Sequence, residues 1–199
     1  MNIIVLGAGT FGTAIANELS VNTSNKVLLY SRIQRKVDEI NFQNTNKSSF
    51  PNKHLSTNLK ATSDTNEISN AAIIFIALPS MVILENLTAL KPYFKEKVLL
   101  VNLSKGLLAD GVTIVESIQK ELGIINVVTL KGPSFAVEVM EHADTLLTLG
   151  YTTHTQSQII NSIIKGTSLH IDYTTDIRGV EVLSVLKNIY ALVLGVVDA

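Results

Sequence analysis

Two periodicities take turns along this chain. Short runs of aliphatic and β-branched residues occur at Ile3–Leu6, Lys26–Tyr30, Ala72–Ala77, Val98–Asn102, Val127–Leu130, Thr145–Leu149 and Leu169–Tyr173. Several are apolar at every position, as expected of strands covered on both faces. Between them, apolar residues recur every three or four positions, most clearly at Phe11–Val21, Ile33–Gln43, Val82–Leu90 and Thr113–Leu122, which predicts helices. Strand–helix alternation of this kind predicts an α/β fold with a doubly wound, mainly parallel sheet. The polar stretch Asn44–Asn58, containing Pro51, reads as a loop. There is no internal repeat and no low-complexity tract.

The pattern changes near the end. From about Gly179 the residues Val180, Val182, Leu183, Val185, Leu186, Ile189, Leu192 and Val193 make a helix apolar on too many sides to stand alone in water. Either a second domain or a tight partner interface, such as a homodimer, must cover it. The expected organisation is a sheet domain over residues 1–178, followed by 179–199 as the first helix of a helical second domain.

Composition narrows the class of protein. The chain has 199 residues, 46% hydrophobic and 17% charged, which excludes a disordered chain. A net charge of −1 argues against a nucleic-acid partner, although local cations could still hold a phosphate. With no cysteine, disulfides and thiolate metal sites are excluded. The first apolar run is too short for a signal peptide and lacks a basic leader. The longest apolar stretch, Ile189 to Val197, has 9 residues, where a membrane span needs about 20. A cytoplasmic location is the resulting expectation. The four histidines, His54, His142, His154 and His170, show no metal-ligand spacing and are expected to be structural or solvated, His154 in a polar turn.

Candidate chemistry begins at residue 7. Gly7-Ala8-Gly9-Thr10-Phe11-Gly12 is a G-x-G-x-x-G element between the first strand and the first helix. In that context Gly7 permits the tight turn, Gly9 lets backbone approach a pyrophosphate, and Gly12 allows close helix–strand packing. The helix N-terminus offers free N–H groups and partial positive charge. At the end of the second strand, Tyr30-Ser31-Arg32 carries no carboxylate for ribose hydroxyls. An arginine beside a hydroxyl suits a 2′-phosphate, so the expected cofactor is NADP or NAD, with NADP favoured. Lys105, following the strand Val98–Asn102, stands where ligands gather in doubly wound sheets and could polarise an oxygen or hold a phosphate. Gly132-Pro133-Ser134 precedes another helical stretch. Its N–H groups and the Ser134 hydroxyl suit an anion, and Ser134 could equally serve as an N-cap. Glu138 reads as a first-turn helix carboxylate. Lys187 is a cation on an otherwise apolar helix. Such a lysine either snorkels to an edge or has its pKa lowered for proton transfer.

Several blocks together resemble the bacterial type of NAD(P)-dependent glycerol-3-phosphate dehydrogenase. They are Gly7-Ala8-Gly9-Thr10-Phe11-Gly12-Thr13-Ala14, Ala77-Leu78-Pro79-Ser80, Ser104-Lys105-Gly106-Leu107, Gly132-Pro133-Ser134-Phe135-Ala136-Val137-Glu138 and Leu186-Lys187-Asn188, in the family's order from end to end. The resemblance implies interconversion of sn-glycerol 3-phosphate and dihydroxyacetone phosphate, a step supplying phospholipid backbones. It implies that Thr10, Phe11, Arg32, Pro79, Lys105 and Ala136 join the glycines at the cofactor. It places Lys105, Gly132, Ser134, Lys187 and Asn188 at the substrate, with Lys187 as proton acceptor and Lys105 as the next candidate. Family members continue into a helical C-terminal domain that completes the substrate clamp. The sequence departs from the pattern at Phe11, where Trp or Tyr is common, and at Leu84, where Arg often follows Pro-Ser. It departs again at Lys131, where a small residue usually precedes Gly-Pro-Ser, and at Gly195–Ala199. A two-domain dehydrogenase of a 3-hydroxy acid or a sugar-derived acid is the alternative enzyme. A dinucleotide-binding remnant without turnover is the non-enzymatic one.

Overall fold

The structure is a computed structural model, which describes residues 1–108 and 111–186. Eight strands form one sheet: β1 (Asn2–Leu6), β2 (Lys26–Tyr30), β3 (Lys60–Thr62), β4 (Ile73–Ile76), β5 (Leu99–Asn102), β6 (Val127–Lys131), β7 (Thr145–Gly150) and β8 (Leu169–Thr174). Their spatial order is β3-β2-β1-β4-β5-β6-β7-β8. The six strands β1 to β6 pair parallel. β6 and β7 pair antiparallel, with Lys131 opposite Thr148, and β7 and β8 pair parallel. The order reverses between β1 and β4, where a doubly wound sheet opens a crevice beyond its strand ends.

The apolar runs behave as two-faced strands. In β1, Ile3 and Val5 join one core while Ile4 and Leu6 join the other. In β4, Ile73 and Phe75 part from Ile74 and Ile76 in the same way. Helices α1 (Thr10–Leu19), α2 (Gln34–Gln43), α5 (Ala136–Met140) and α6 (His154–Ile164) cover the first face with Ile15, Leu19, Val37, Ile40, Met140 and Ile160. Helices α3 (Ile83–Leu90) and α4 (Ile114–Leu122) cover the second with Ile83, Leu87, Ile114 and Ile118. Two ends are set by local chemistry. Thr113 and Glu116 form a reciprocal capping box at the start of α4, and Gly123, at φ 66°, takes the left-handed position that ends it. Residues 177–186 are helical, and Ile177 packs on the second core.

Three expectations change. β3 adds an edge strand that the pattern does not show. His154 is the first residue of α6, capped by Thr153, rather than part of a turn. Ser134 is not an N-cap: α5 is capped at Phe135, whose N–H donates to the Glu138 carboxylate at 3.1 Å. The expected role of Glu138 in the first helical turn stands. The segment after α2 is irregular as expected, but it has a job. Asn44 ends α2 at φ 51°, and the completely buried Asn46 reaches back toward the glycine loop.

Candidate active site

The glycine loop is shaped by contacts that only glycine allows. Gly7, at φ 110°, turns the chain out of β1, and a Cβ there would overlap the Ala77 carbonyl. A Cβ on Gly12 would overlap the Gly7 carbonyl oxygen, so this residue lets α1 pack against the turn. Gly9 differs: its backbone is extended and a Cβ would meet nothing within 4 Å. The space beside Gly9 therefore lies outside the protein's own packing. Helix α1 starts there with no side-chain cap and no acidic residue in its first turn, leaving its first N–H groups open to an anion. The loop is held from behind: the Ala8 carbonyl accepts from Lys36 Nζ at 3.2 Å and from Asn46 Nδ2 at 3.2 Å, and Asn46 also donates to Thr13 Oγ1 at 2.9 Å.

Three hollows lie along the carboxyl ends of the parallel strands. The first, about 410 Å³, is walled by Gly9–Gly12, by Ala77–Pro79 after β4 and by Leu103–Lys105 after β5. It gathers Gly9, Thr10, Phe11, Gly12, Pro79 and Lys105 in one place. The second, about 160 Å³, contains Gly7, Ser31 and the exposed Arg32 at the end of β2. The third, about 300 Å³, is bounded by Lys131, Gly132, Pro133, Thr148, Val180, Leu183 and Ser184. Gly132 is glycine for a packing reason, since a Cβ would stand 2.6 Å from the Leu146 carbonyl oxygen on β7. Ser134 and Ala136 line none of the three, Ser134 being buried and Ala136 packed on the first core. Lys187 and Asn188 lie outside the described residues. A larger open hollow of about 760 Å³ between α6 and β8 contains none of the predicted residues.

A buried polar cluster, not predicted as part of the site, adjoins the third hollow. Lys131 is 5% exposed, at the end of β6. Its ammonium donates to the carbonyl of Asn102 at 3.2 Å and to that of Ser104, and lies 3.8 Å from a Glu181 carboxylate oxygen. Glu181, 1% exposed, also accepts from Asn102 Nδ2, from Thr129 Oγ1 at 3.0 Å and from the Val115 N–H at 3.0 Å. Burial pushes the Lys131 pKa down to about 7, with Glu181 opposing and the nearby charge of Lys105 reinforcing the fall. The sequence signals were faint: one lysine closing an apolar strand, and one glutamate inside an apolar helix.

This shift has a stability consequence with a definite sign. Unfolded, Lys131 would hold its proton up to a pH of about 10.4. Folded, it releases the proton at lower pH, so between these values the unfolded chain binds more protons and stability rises with pH. Lys131→Met removes that gain. The melting temperature of the wild type relative to the variant should therefore increase from pH 7 to pH 10, and a constant difference would contradict the burial of this ammonium.

His142 and His170 make side-chain contacts, while His54 and His154 are exposed. His142 Nδ1 contacts the buried Glu18 carboxylate, which also accepts from the Ser168 N–H and hydroxyl, while His170 Nε2 is 2.8 Å from Asp144. Among the described residues no group of His, Asp or Glu could hold a metal ion. Nor is any described helix long and apolar enough to cross a membrane.

Sheet order, glycine loop and a cleft at the order reversal define a Rossmann-type nucleotide-binding α/β domain. Residues 2–158 match the model for the family described as the N-terminus of NAD-dependent glycerol-3-phosphate dehydrogenase, and the chain belongs to that family. It is 32% identical over 196 residues to the glycerol-3-phosphate dehydrogenase (NAD(P)+) of Neorickettsia sennetsu, covering 98% of this chain and 58% of that protein. With the Bacillus subtilis protein of the same name it shares 33% identity over 201 residues, covering 98% and 58%. The crystal structure of glycerol-3-phosphate dehydrogenase from Coxiella burnetii superposes with a TM-score of 0.87 at 30% identity, over 99% of this chain and 61% of that one. The chain thus spans about three-fifths of the length of these relatives.

Proposed function

We propose that this chain is the cofactor-binding part, with a share of the substrate site, of a cytoplasmic dehydrogenase that interconverts sn-glycerol 3-phosphate and dihydroxyacetone phosphate with NADP(H) or NAD(H), supplying glycerophospholipid synthesis. The observation that carries this reading is the open space at Gly9, beside an uncapped helix start and across the cleft from Lys105. Backbone can approach a pyrophosphate there without moving anything. A bound nicotinamide supplies the hydride chemistry.

The protein's own residues divide the remaining work. Gly7, Gly9, Thr10, Phe11, Gly12, Pro79 and Ala136 serve the cofactor, and Arg32 takes a 2′-phosphate. Lys105, Gly132 and Ser134 serve the phosphorylated three-carbon substrate. Lys187, with Asn188 beside it, moves the proton of the reacting oxygen. Residues 1–178 form the dinucleotide-binding unit, and 179–199 begin a helical substrate unit. Glu181 keys the first turns of that helix into the sheet domain.

The test is titration with NADPH and NADH, followed by assay of glycerol 3-phosphate-dependent cofactor reduction. NADPH should bind more tightly, and Arg32→Ala should reduce the NADPH preference by about tenfold, the loss of one charge-assisted phosphate contact. An unchanged ratio would remove Arg32 from phosphate recognition. Absence of dinucleotide binding would overturn the whole reading, and binding without turnover in the full-length protein would favour the remnant alternative.

A further inference from the structure

Lys105 does not reach the cleft on a free loop. The turn that carries it follows β5 and is fastened on every side. The Ser104 N–H donates to Asn102 Oδ1 at 3.0 Å, and the Ser104 hydroxyl bonds the carbonyls of Ile76 at 3.2 Å and Leu78 at 2.6 Å. Gly106, at φ 144°, then bends the chain away. The carbonyls of Asn102 and Ser104 face β6, where the ammonium of Lys131 donates to both. An ammonium has three donors. Two are spent on these carbonyls and the third faces Glu181. Lysine is almost never buried without such partners, and a side chain 5% exposed is not snorkelling to solvent.

We propose that Lys131 is the positioning residue for Lys105: anchored by Glu181, its ammonium ties down the two carbonyls leading into Lys105 and so fixes where that second cation stands over the cleft. This rests on the proposed role of Lys105 as a cation facing the ligand. The charged groups acting on Lys131 are Glu181, from the helix over 177–186, and Lys105, from the turn after β5. The charge of Lys105 acts on Lys131, so a change of charge at Lys131 is sensed at Lys105 in turn. Through the two carbonyls Lys131 sets the place of Lys105.

The decisive measurement follows the ε-carbon signals of labelled lysines in the full chain from pH 5.5 to 11. Lys105→Gln and Lys131→Met assign the two resonances. In the wild type the Lys105 signal should show an inflection at the midpoint of Lys131. In Lys131→Met that inflection, expected near pH 7, should disappear. Lys131→Arg keeps charge and donors but does not titrate in this range, so the inflection should be absent there too. In turnover assays of the full-length protein Lys131→Met should lose at least about tenfold in kcat, largely restored in Lys131→Arg, while the KM for cofactor stays within about twofold. An inflection near pH 7 that persists in folded Lys131→Met, or an unchanged kcat in that variant, would overturn the proposal. Should that variant fail to fold, a wild-type Lys105 signal without an inflection at the Lys131 midpoint would overturn it equally. The titration needs neither cofactor nor substrate. Coupled lysines in a chain that binds no dinucleotide would thus count against the dehydrogenase reading and leave the positioning role supported.

Discussion

Gly9→Val should weaken NADPH binding by at least about tenfold, roughly 1.4 kcal/mol, without lowering the melting temperature. The separation of these effects follows from geometry. Gly9 has ordinary extended backbone, and its missing Cβ faces empty space. A branched side chain there obstructs an incoming pyrophosphate, while its Cβ meets nothing in the protein. Gly12→Ala provides the contrast, because its methyl would overlap the Gly7 carbonyl oxygen and must displace α1 or the turn. That variant should lose thermal stability as well as affinity. Calorimetric titration and a melting curve on each variant read both quantities. Unchanged NADPH affinity in Gly9→Val would remove the glycine loop from cofactor binding.

Replacing Lys187 should have the largest catalytic effect. Hydride transfer at a secondary alcohol requires a partner for the hydroxyl proton, and Lys187 is a cation in a stretch otherwise suited to burial. Lys187→Met keeps length and apolar fit but removes charge and proton. Turnover of glycerol 3-phosphate should fall by about 10²-fold or more, the usual range for losing a general acid or base, with cofactor affinity near that of the wild type. A matching fall in cofactor affinity would indicate disturbed packing instead of lost proton transfer. Near-normal turnover would exclude Lys187 and pass the role to Lys105.

What could be read from the sequence was what lies close together in it. The strand runs carry their own signal because both faces of a central parallel strand are covered, as at Ile73–Ile76. The glycine loop is a six-residue device, and its spacing alone implied the turn, the close approach and the helix start. By contrast, β3 is Lys-Ala-Thr at a sheet edge and has too few apolar positions to show a period. The reversed direction of β7 leaves no trace in its hydrophobic pattern, which would be the same in either sense. Asn46 reads as one more polar loop residue, and only the fold brings it to Ala8, 38 positions away in the chain. Ser134 illustrates the opposite error. It has the right residue type for an N-cap, but the helix begins one residue later than that role requires. Lys131 and Glu181 lie on separate elements, so neither announces the other.

The span of that last pair bears on the order in which the molecule can assemble. Glu181 bonds Asn102 across 79 positions, Val115 across 66 and Thr129 across 52. During synthesis β1 to β6 can therefore emerge and pair long before the carboxylate arrives. Until then Lys131 must stay hydrated at an unfinished edge or enter the interior with its charge unopposed, at a cost of about 3–5 kcal/mol for an uncompensated buried charge. Contacts of such long range form late because loop closure precedes any gain. The helix over 177–186 is thus the closing clasp of the nascent domain, and the cleft around Lys105 takes its final form only after the ribosome has passed residue 181.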